Sequence, residues 1–157
     1  MFDSPLLIVL VVLAALGVGG GVFSLRRRGR VRGFCSQAAQ AIQESRYDDA
    51  LRILLTAEQS WAFNFHDGSR SSHLADLDDL SQILALLTRV PGGDSSRIAQ
   101  VESAVSGVRA LFAERSNFGI DGRSMKRDAA VRWPELSNRL ESLRRELRLS
   151  YETRVAA

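Results

Sequence analysis

Twenty consecutive residues near the start of the chain, Leu6 to Leu25, carry no charged side chain. An α-helix of that length spans about 30 Å, which matches the hydrocarbon thickness of a bilayer. The residues before this run are acidic and arginines follow it, which is the reverse of the charge pattern of a cleaved signal peptide. The sequence therefore predicts a single transmembrane anchor over residues 1–25.

The segment that follows the apolar run is strongly basic, with Arg26, Arg27, Arg28, Arg30 and Arg32. Basic residues beside a membrane helix stay on the cytoplasmic side and contact anionic lipid headgroups. We therefore predict a basic juxtamembrane segment over residues 26–33, with membrane lipid as a partner. The amino terminus would lie outside a bacterial inner membrane, and the carboxyl-terminal domain would lie in the cytoplasm.

The distribution of charge argues against a nucleic-acid partner. The formal charge is +3, but residues 1–32 hold five arginines and one acid, and the remaining 16 basic and 17 acidic side chains nearly cancel. A basic cluster against a bilayer, with a neutral domain behind it, lacks the extended basic surface that a nucleic acid requires. The glycines of the apolar run do not form a phosphate loop, because no Gly-Lys-Ser/Thr follows them.

Small residues occur within the predicted anchor and just after it. Gly17 and Gly21 lie four residues apart, a spacing that lets two membrane helices approach closely, so the anchor could pair and the chain could form a homo-oligomer. A helix end without a partner explains the same glycines. Cys35 is the only cysteine, which excludes an internal disulfide and suits a reducing cytoplasm. We expect Cys35 to be a small buried apolar residue.

Beyond the arginines, apolar residues recur at the three- and four-residue steps of helices, and no stretch alternates as a strand would. The 157 residues, 45% apolar and 25% charged, allow one globular domain besides the anchor. We therefore predict an all-α fold in which one transmembrane helix precedes a small cytoplasmic bundle of about five helices. The bundle would cover residues 34–153, and residues 154–157 would form a tail.

Polar, glycine and proline residues mark the ends of the predicted helices. We expect a break between helices at Ser45 and Arg46. We expect a loop after Trp61, with Ser72 capping the helix that follows. That helix should end at the Pro-Gly-Gly-Asp segment, residues 91–94. Residues 116–128 are predicted to form a loop that leads into a short helix. Pro134 predicts a boundary or kink before the last helix.

The segment from Ala38 to Gln59 reads AAQAIQESRYDDALRILLTAEQ. Tyr47, Ala50, Leu54 and Ala57 match the aromatic, small, large and small positions of a tetratricopeptide repeat, which the segment resembles. The resemblance implies two antiparallel helices that pack closely. The Trp-x-x-Leu-Gly opening of the family is missing, and no second copy follows at the spacing of about 34 residues. We predict a repeat-like hairpin inside a bundle, with a degenerate repeat array as the alternative.

Two histidines and nearby acids are the candidates for chemistry. One hypothesis is a divalent-metal site formed by His66, Asp67, His73 and Asp76. Another is that Ser69, close to His66 and Asp67, acts as a nucleophile. The histidines lack zincin-type spacing, however, and a catalytic triad is defined by geometry rather than by sequence proximity. We therefore expect no metal, no cofactor and no enzymatic activity.

The sequence has many amphipathic helices and no catalytic signature, which favours an interaction or assembly protein. We predict a scaffold or accessory subunit of a membrane complex, acting at the cytoplasmic face. The candidate partner-binding residues are Tyr47, Leu51, Leu54, Trp61, Leu136, Leu140, Leu143 and Leu147. Two alternatives stay open: a membrane-tethered enzyme whose site the sequence does not reveal, and a protein that senses anionic lipid through its arginines. A binding module would expose an apolar stripe, whereas an enzyme would have a concave pocket with ionisable groups.

Overall fold

The computed structural model of the chain describes residues 26–63, 70–113 and 122–156. Helix α1 includes residues 26–43, and the later helices are α2 at Tyr47–Ser60, α3 at Arg70–Leu87, α4 at Ser95–Ala113 and α5 at Gly122–Ala156. The described ranges contain no strand. The predicted all-α helical bundle is confirmed.

The membrane part of the predicted fold and location is corrected by the structure. Across the three described ranges, no helix combines the length and the apolar character that crossing a bilayer requires. The physical reason is that each of these helices carries several charged side chains. The predicted span over residues 6–25, with Gly17 and Gly21, lies outside the described residues. The single-pass architecture and the inner-membrane location are therefore not retained.

The turn between α1 and α2 is closed by a residue in the left-handed conformation. Ser45 has a φ of 58°, and its N–H donates to the Ile42 carbonyl at 3.0 Å. The Arg46 N–H donates to the Ala41 carbonyl at 2.8 Å. These two bonds form a Schellman motif, which satisfies carbonyl groups at the end of α1. The predicted break at Ser45 and Arg46 is confirmed.

The two helices that this turn joins bury their smallest side chains. Ala38 and Ala41 of α1 and Ala50 and Ala57 of α2 are fully buried. Alanine at such positions leaves room for neighbouring helix backbones to approach closely. The kinship of this hairpin with tetratricopeptide repeats stays a prediction.

Arginines of α1 pair with aspartates of α3. The Arg28 Nε donates to Asp76 Oδ1 at 2.8 Å, and the Arg32 Nε donates to Asp79 Oδ1 at 2.8 Å. The two aspartate side chains are only 8% and 4% exposed, and a buried carboxylate is stable only with such a partner. Arg28 also donates to the Ser72 carbonyl at 2.7 Å. Ser72 lies inside α3 rather than at its start, so its predicted capping role is wrong.

The turn between α3 and α4 docks against Tyr151 of α5. Gly92 has a φ of 71°, and a Cβ atom on Gly93 would lie only 2.8 Å from the Tyr151 hydroxyl oxygen. The Asp94 N–H donates to that hydroxyl at 3.2 Å. The Asp94 carboxylate in turn accepts the Arg97 N–H at 3.0 Å and caps α4. The predicted stop after α3 is confirmed.

Helix α5 packs against both α4 and α2. It continues through Pro134, so of the boundary or kink predicted there the boundary is wrong, and the kink stays a prediction. Proline lacks the N–H that would close one helical hydrogen bond, and the surrounding turns hold the helix despite this loss. Leu140, Leu147 and Tyr151 are buried on the face that α5 turns to the core.

Cys35 lies in α1 with no exposed surface, as predicted for a buried apolar residue. Burial raises the pKa of its thiol from 9.0 to about 11, and the negative charge of Asp79 acts in the same direction. A thiolate is the reactive form of cysteine, so the folded chain holds Cys35 in its unreactive form.

We predict that alkaline conditions destabilise the fold through Cys35. The unfolded thiol ionises near its ordinary pKa of 9.0, whereas the folded thiol keeps its proton until about 11. Deprotonation therefore favours the unfolded chain as the pH rises through this interval. Urea unfolding at about pH 8 and about pH 10 should show the intact chain losing stability relative to Cys35→Ala. An unchanged difference between the two proteins, or alkylation of native Cys35 as fast as in urea, would contradict this.

Candidate functional site

A pocket of about 280 Å³ lies between the end of α2 and the middle of α5. Its floor consists of buried Trp61, Leu140 and Arg144. The other lining residues are exposed or partly exposed: Gln59, Ala62, Phe63, Trp133, Ser137, Glu141 and Arg148. The pocket therefore combines a buried aromatic and cationic floor with a rim that solvent reaches.

Trp61 is held in the floor by contacts on several sides. Its Nε1–H donates to the Asp76 carbonyl at 2.6 Å. The guanidinium carbon of Arg144 lies 4.3 Å from the centre of its ring, and the Phe63 ring stacks beside it at 6.1 Å. An indole with its N–H bonded and a cation over its face has a defined orientation. Trp61 is therefore a fixed part of the pocket.

The position of Trp61 follows from the way α2 ends. The Trp61 N–H still donates to the Ala57 carbonyl at 3.0 Å, but Trp61 itself has an extended backbone with φ −73° and ψ 139°. The chain leaves the helix at this residue. Its side chain consequently lies beneath α5 instead of continuing the face of α2.

Phe63 connects the pocket to the rest of the bundle. Its ring centre lies 5.3 Å from that of Trp133 in α5 and 5.9 Å from that of Phe112 in α4. His73 of α3 lies 5.2 Å from Phe63 and 5.0 Å from Phe112. These separations are those of favourable aromatic pairs. The wall of the pocket is thus part of an aromatic cluster shared by three helices.

Beneath the pocket, Glu58 of α2 and Arg144 of α5 form a buried ion pair. The Arg144 Nη2 lies 2.6 Å from Glu58 Oε1. The Arg144 side chain is 8% exposed and the Glu58 side chain is 5% exposed. The contact lacks the angles of a hydrogen bond to that oxygen, but at this separation the opposite charges still attract strongly. Arg144 also lies 2.7 Å from Glu141 Oε2. The buried guanidinium is therefore matched by carboxylates from two helices.

Arg148 lies one helical turn further along α5 and is less firmly paired. Its Nη1 is 3.4 Å from Glu58 Oε2, its Nε is 3.7 Å from Glu152 Oε1, and its side chain is 27% exposed. Strong hydrogen bonds between a guanidinium and a carboxylate are about 2.7–2.9 Å long. Arg148 thus presents a partly exposed cation with two long contacts at the rim.

The candidate partner-binding residues lie largely inside the molecule. Tyr47, Leu136 and Leu143 are partly buried, and the fully buried ones are Leu51, Leu54, Trp61, Leu140 and Leu147. The leucine spacing of α5 serves to pack this helix against the bundle. Only Trp61 and Leu140 line the pocket. A partner role for these residues stays a prediction, and the fully buried leucines outside the pocket could be reached only if the bundle opened.

The five arginines that follow the apolar run are part of α1. Arg28 and Arg32 bind aspartates of α3, and Arg27 lies 3.5 Å from Asp76. Arg26 and Arg30 are exposed. No described contact tests the lipid binding predicted for these five side chains. The three that pair do so with carboxylates of the same chain.

Of the residues considered for metal or nucleophilic chemistry, the structure describes His73 and Asp76. His73 lies in the aromatic cluster, and Asp76 binds arginines. His66, Asp67 and Ser69 lie outside the described residues. In the part of the chain that the structure describes, no group of three histidine, cysteine, aspartate or glutamate side chains could hold a metal ion.

Sequence reasoning missed Phe63, Trp133, Arg144 and Arg148 as site residues. One signal was present, because Arg144 lies four residues after Leu140 and three before Leu147, within the apolar stripe of α5. An arginine on a buried face requires a buried acid. Glu58 lies four residues after Leu54 and three before Trp61, within the apolar stripe of α2. The apolar neighbours of Arg144 and Glu58 therefore indicated that each residue is buried.

Comparisons with protein-family models, with curated proteins and with solved structures found no match to this chain. The function must therefore be argued from the geometry of the site itself.

We predict that Arg144→Met destabilises the fold by about 3–5 kcal/mol, because it leaves the Glu58 carboxylate buried without its main partner. The double variant Arg144→Met with Glu58→Gln should be less destabilised than Arg144→Met alone, since the stranded charge is gone. The free energy of unfolding in urea measures both effects. Arg145→Met, at an exposed neighbouring position, is the control and should change stability by less than about 0.5 kcal/mol. A double variant as unstable as the sum of its single variants would refute a buried, coupled pair.

Proposed function

We propose that this protein is a non-enzymatic interaction module that holds another protein as a scaffold or accessory subunit of an assembly. The pocket between α2 and α5 would receive a bulky apolar side chain of the partner. The supporting observation is its lining of Trp61, Phe63 and Trp133 with Arg144 and Arg148. Tryptophan and arginine are the residues that most often dominate the binding energy of protein interfaces.

The pocket is small and its floor is preformed. Its volume of about 280 Å³ lies at the lower end of the range of about 300–1,000 Å³ that is typical of small-molecule sites, and it has room for a bulky side chain. Its floor is also formed in advance, because Trp61 is fixed by the Asp76 carbonyl and by Arg144. A preformed pocket reduces the entropy that ordering costs on binding.

The polar groups of the pocket favour binding over catalysis. Among the described lining residues there is no imidazole or thiol, and the Ser137 hydroxyl donates to the Pro134 carbonyl at 3.2 Å. The Glu141 carboxylate is paired with Arg144. The Ser137 hydroxyl and the Glu141 carboxylate are thus both engaged within the chain, whereas a general acid or base must be free to reach a substrate.

Site-specific photocrosslinking in the cells that naturally produce the protein tests this proposal. A benzoylphenylalanine at Ala62, on the exposed rim, should yield one discrete adduct that mass spectrometry assigns to a protein. The same probe at Thr88, exposed at the turn after α3, is the matched control and should yield none.

Trp133→Ala should abolish the Ala62 adduct, while Trp133→Phe should retain much of it because an aromatic wall remains. Circular dichroism of both variants verifies that they are folded. The proposal is refuted if folded protein gives no adduct at Ala62, equal adducts at both positions, or an adduct unaffected by Trp133→Ala.

A further inference from the structure

We infer that the segment bound in this pocket carries a carboxylate beside its apolar side chain, and that Arg148 binds this carboxylate. The inference rests on the proposed function and specifies the chemistry of the partner. Its basis is the difference between the two arginines that α5 contributes to the pocket.

Arg144 is engaged mainly within the chain, and its one unpartnered nitrogen among the described contacts, Nε, is buried. Its guanidinium lies 2.6 Å from Glu58 and 2.7 Å from Glu141, is stacked over Trp61, and is only 8% exposed. Arg148 is 27% exposed and lines the pocket, with contacts of 3.4 Å and 3.7 Å among the described residues. A carboxylate from a partner could approach Arg148 at about 2.8 Å and improve on both contacts.

The two arginines of the pocket share one buried carboxylate. Glu58 supplies one carboxylate to two guanidinium groups, and its closest contact is with Arg144. The other two acids are well solvated, since Glu141 is 57% exposed and Glu152 is 42% exposed. Charges in solvent are screened, so they offset a partly buried cation weakly. The pocket therefore favours an anionic group over a cationic one.

The shape of the pocket limits what that anion is attached to. Arg148 lines the same pocket as Trp61, Phe63 and Trp133, so a ligand that reaches both must offer an apolar group and an anion. One guanidinium matches one carboxylate through two parallel hydrogen bonds. A leucine or phenylalanine followed by a glutamate in an exposed segment of a protein has this combination.

Peptide binding to the full chain tests the inference. Two matched peptide sets would carry a central leucine followed by glutamate or by glutamine in varied alanine, glycine and serine surroundings, with a lysine set as a third. Tryptophan emission of the protein reports binding, because the peptides contain no tryptophan. We expect the glutamate peptides to bind about tenfold more tightly than their glutamine counterparts, and the lysine peptides to bind most weakly.

Arg148→Gln should remove the preference for glutamate peptides over glutamine peptides. Arg145→Gln, an exposed arginine outside the pocket lining, should keep the preference. Salt provides a measurement that needs no variant, because the advantage of glutamate over glutamine should shrink as ionic strength rises.

The outcomes separate the inference from the function on which it rests. Equal binding of glutamate and glutamine peptides, abolished by Trp133→Ala, would overturn the carboxylate and leave the apolar pocket as the docking site. A glutamate preference that Arg148→Gln leaves intact would overturn the role of Arg148. An absence of Trp133-dependent binding in all three peptide sets would overturn both the inference and the proposed docking function.

Discussion

The hydrogen bond from the Trp61 indole to the Asp76 carbonyl, 2.6 Å long, is the contact on which the arrangement of the helices depends. Trp61 ends α2, and Asp76 belongs to α3. The side chain of Asp76 binds Arg28 of α1, while Arg144 of α5 covers the face of the indole. Four helices therefore meet around one backbone carbonyl and one aromatic ring, and the pocket lies on one side of that junction.

Several ion pairs between helices of this bundle have buried carboxylates. The arginines of α1 meet Asp76 and Asp79, and Arg144 meets Glu58, all at carboxylates that are less than one tenth exposed. Removing the arginine from such a pair costs more than removing one from a surface pair, because the buried carboxylate is shielded from water and loses its closest counterion. The pairs consequently fix which helix lies beside which, in addition to the apolar contacts that drive collapse.

Local spacing was enough to predict the helices and most of their connections. The turn at Ser45 and the stop before Asp94 depend on residues within a few positions of each other, so the sequence displays them directly. Helix α5 shows the limit of this reasoning, because Pro134 predicts a boundary that the packing of the flanking turns overrides.

The candidate site was less predictable, because its contacts join residues far apart in the chain. Arg28 and Asp76 are 48 positions apart, and Arg144 and Glu58 are 86 apart, so no local pattern links them. The arginines after the apolar run have a local explanation in lipid contact, so nothing in the sequence points from them to Asp76 and Asp79. An amphipathic pattern shows which face of a helix is covered but does not identify the partner that covers it.

Hydrogen exchange of the Trp61 indole N–H tests the central claim most directly. The chain has two tryptophans, so the indole region of a ¹⁵N-correlated spectrum should hold two signals, and Trp133→Phe assigns them. Because the Trp61 N–H is bonded and its side chain is 5% exposed, it should exchange only when the bundle opens, with protection that falls as urea lowers the free energy of unfolding. Exchange of the Trp61 signal at the rate of an unstructured peptide, in a chain that is otherwise folded, would contradict the account.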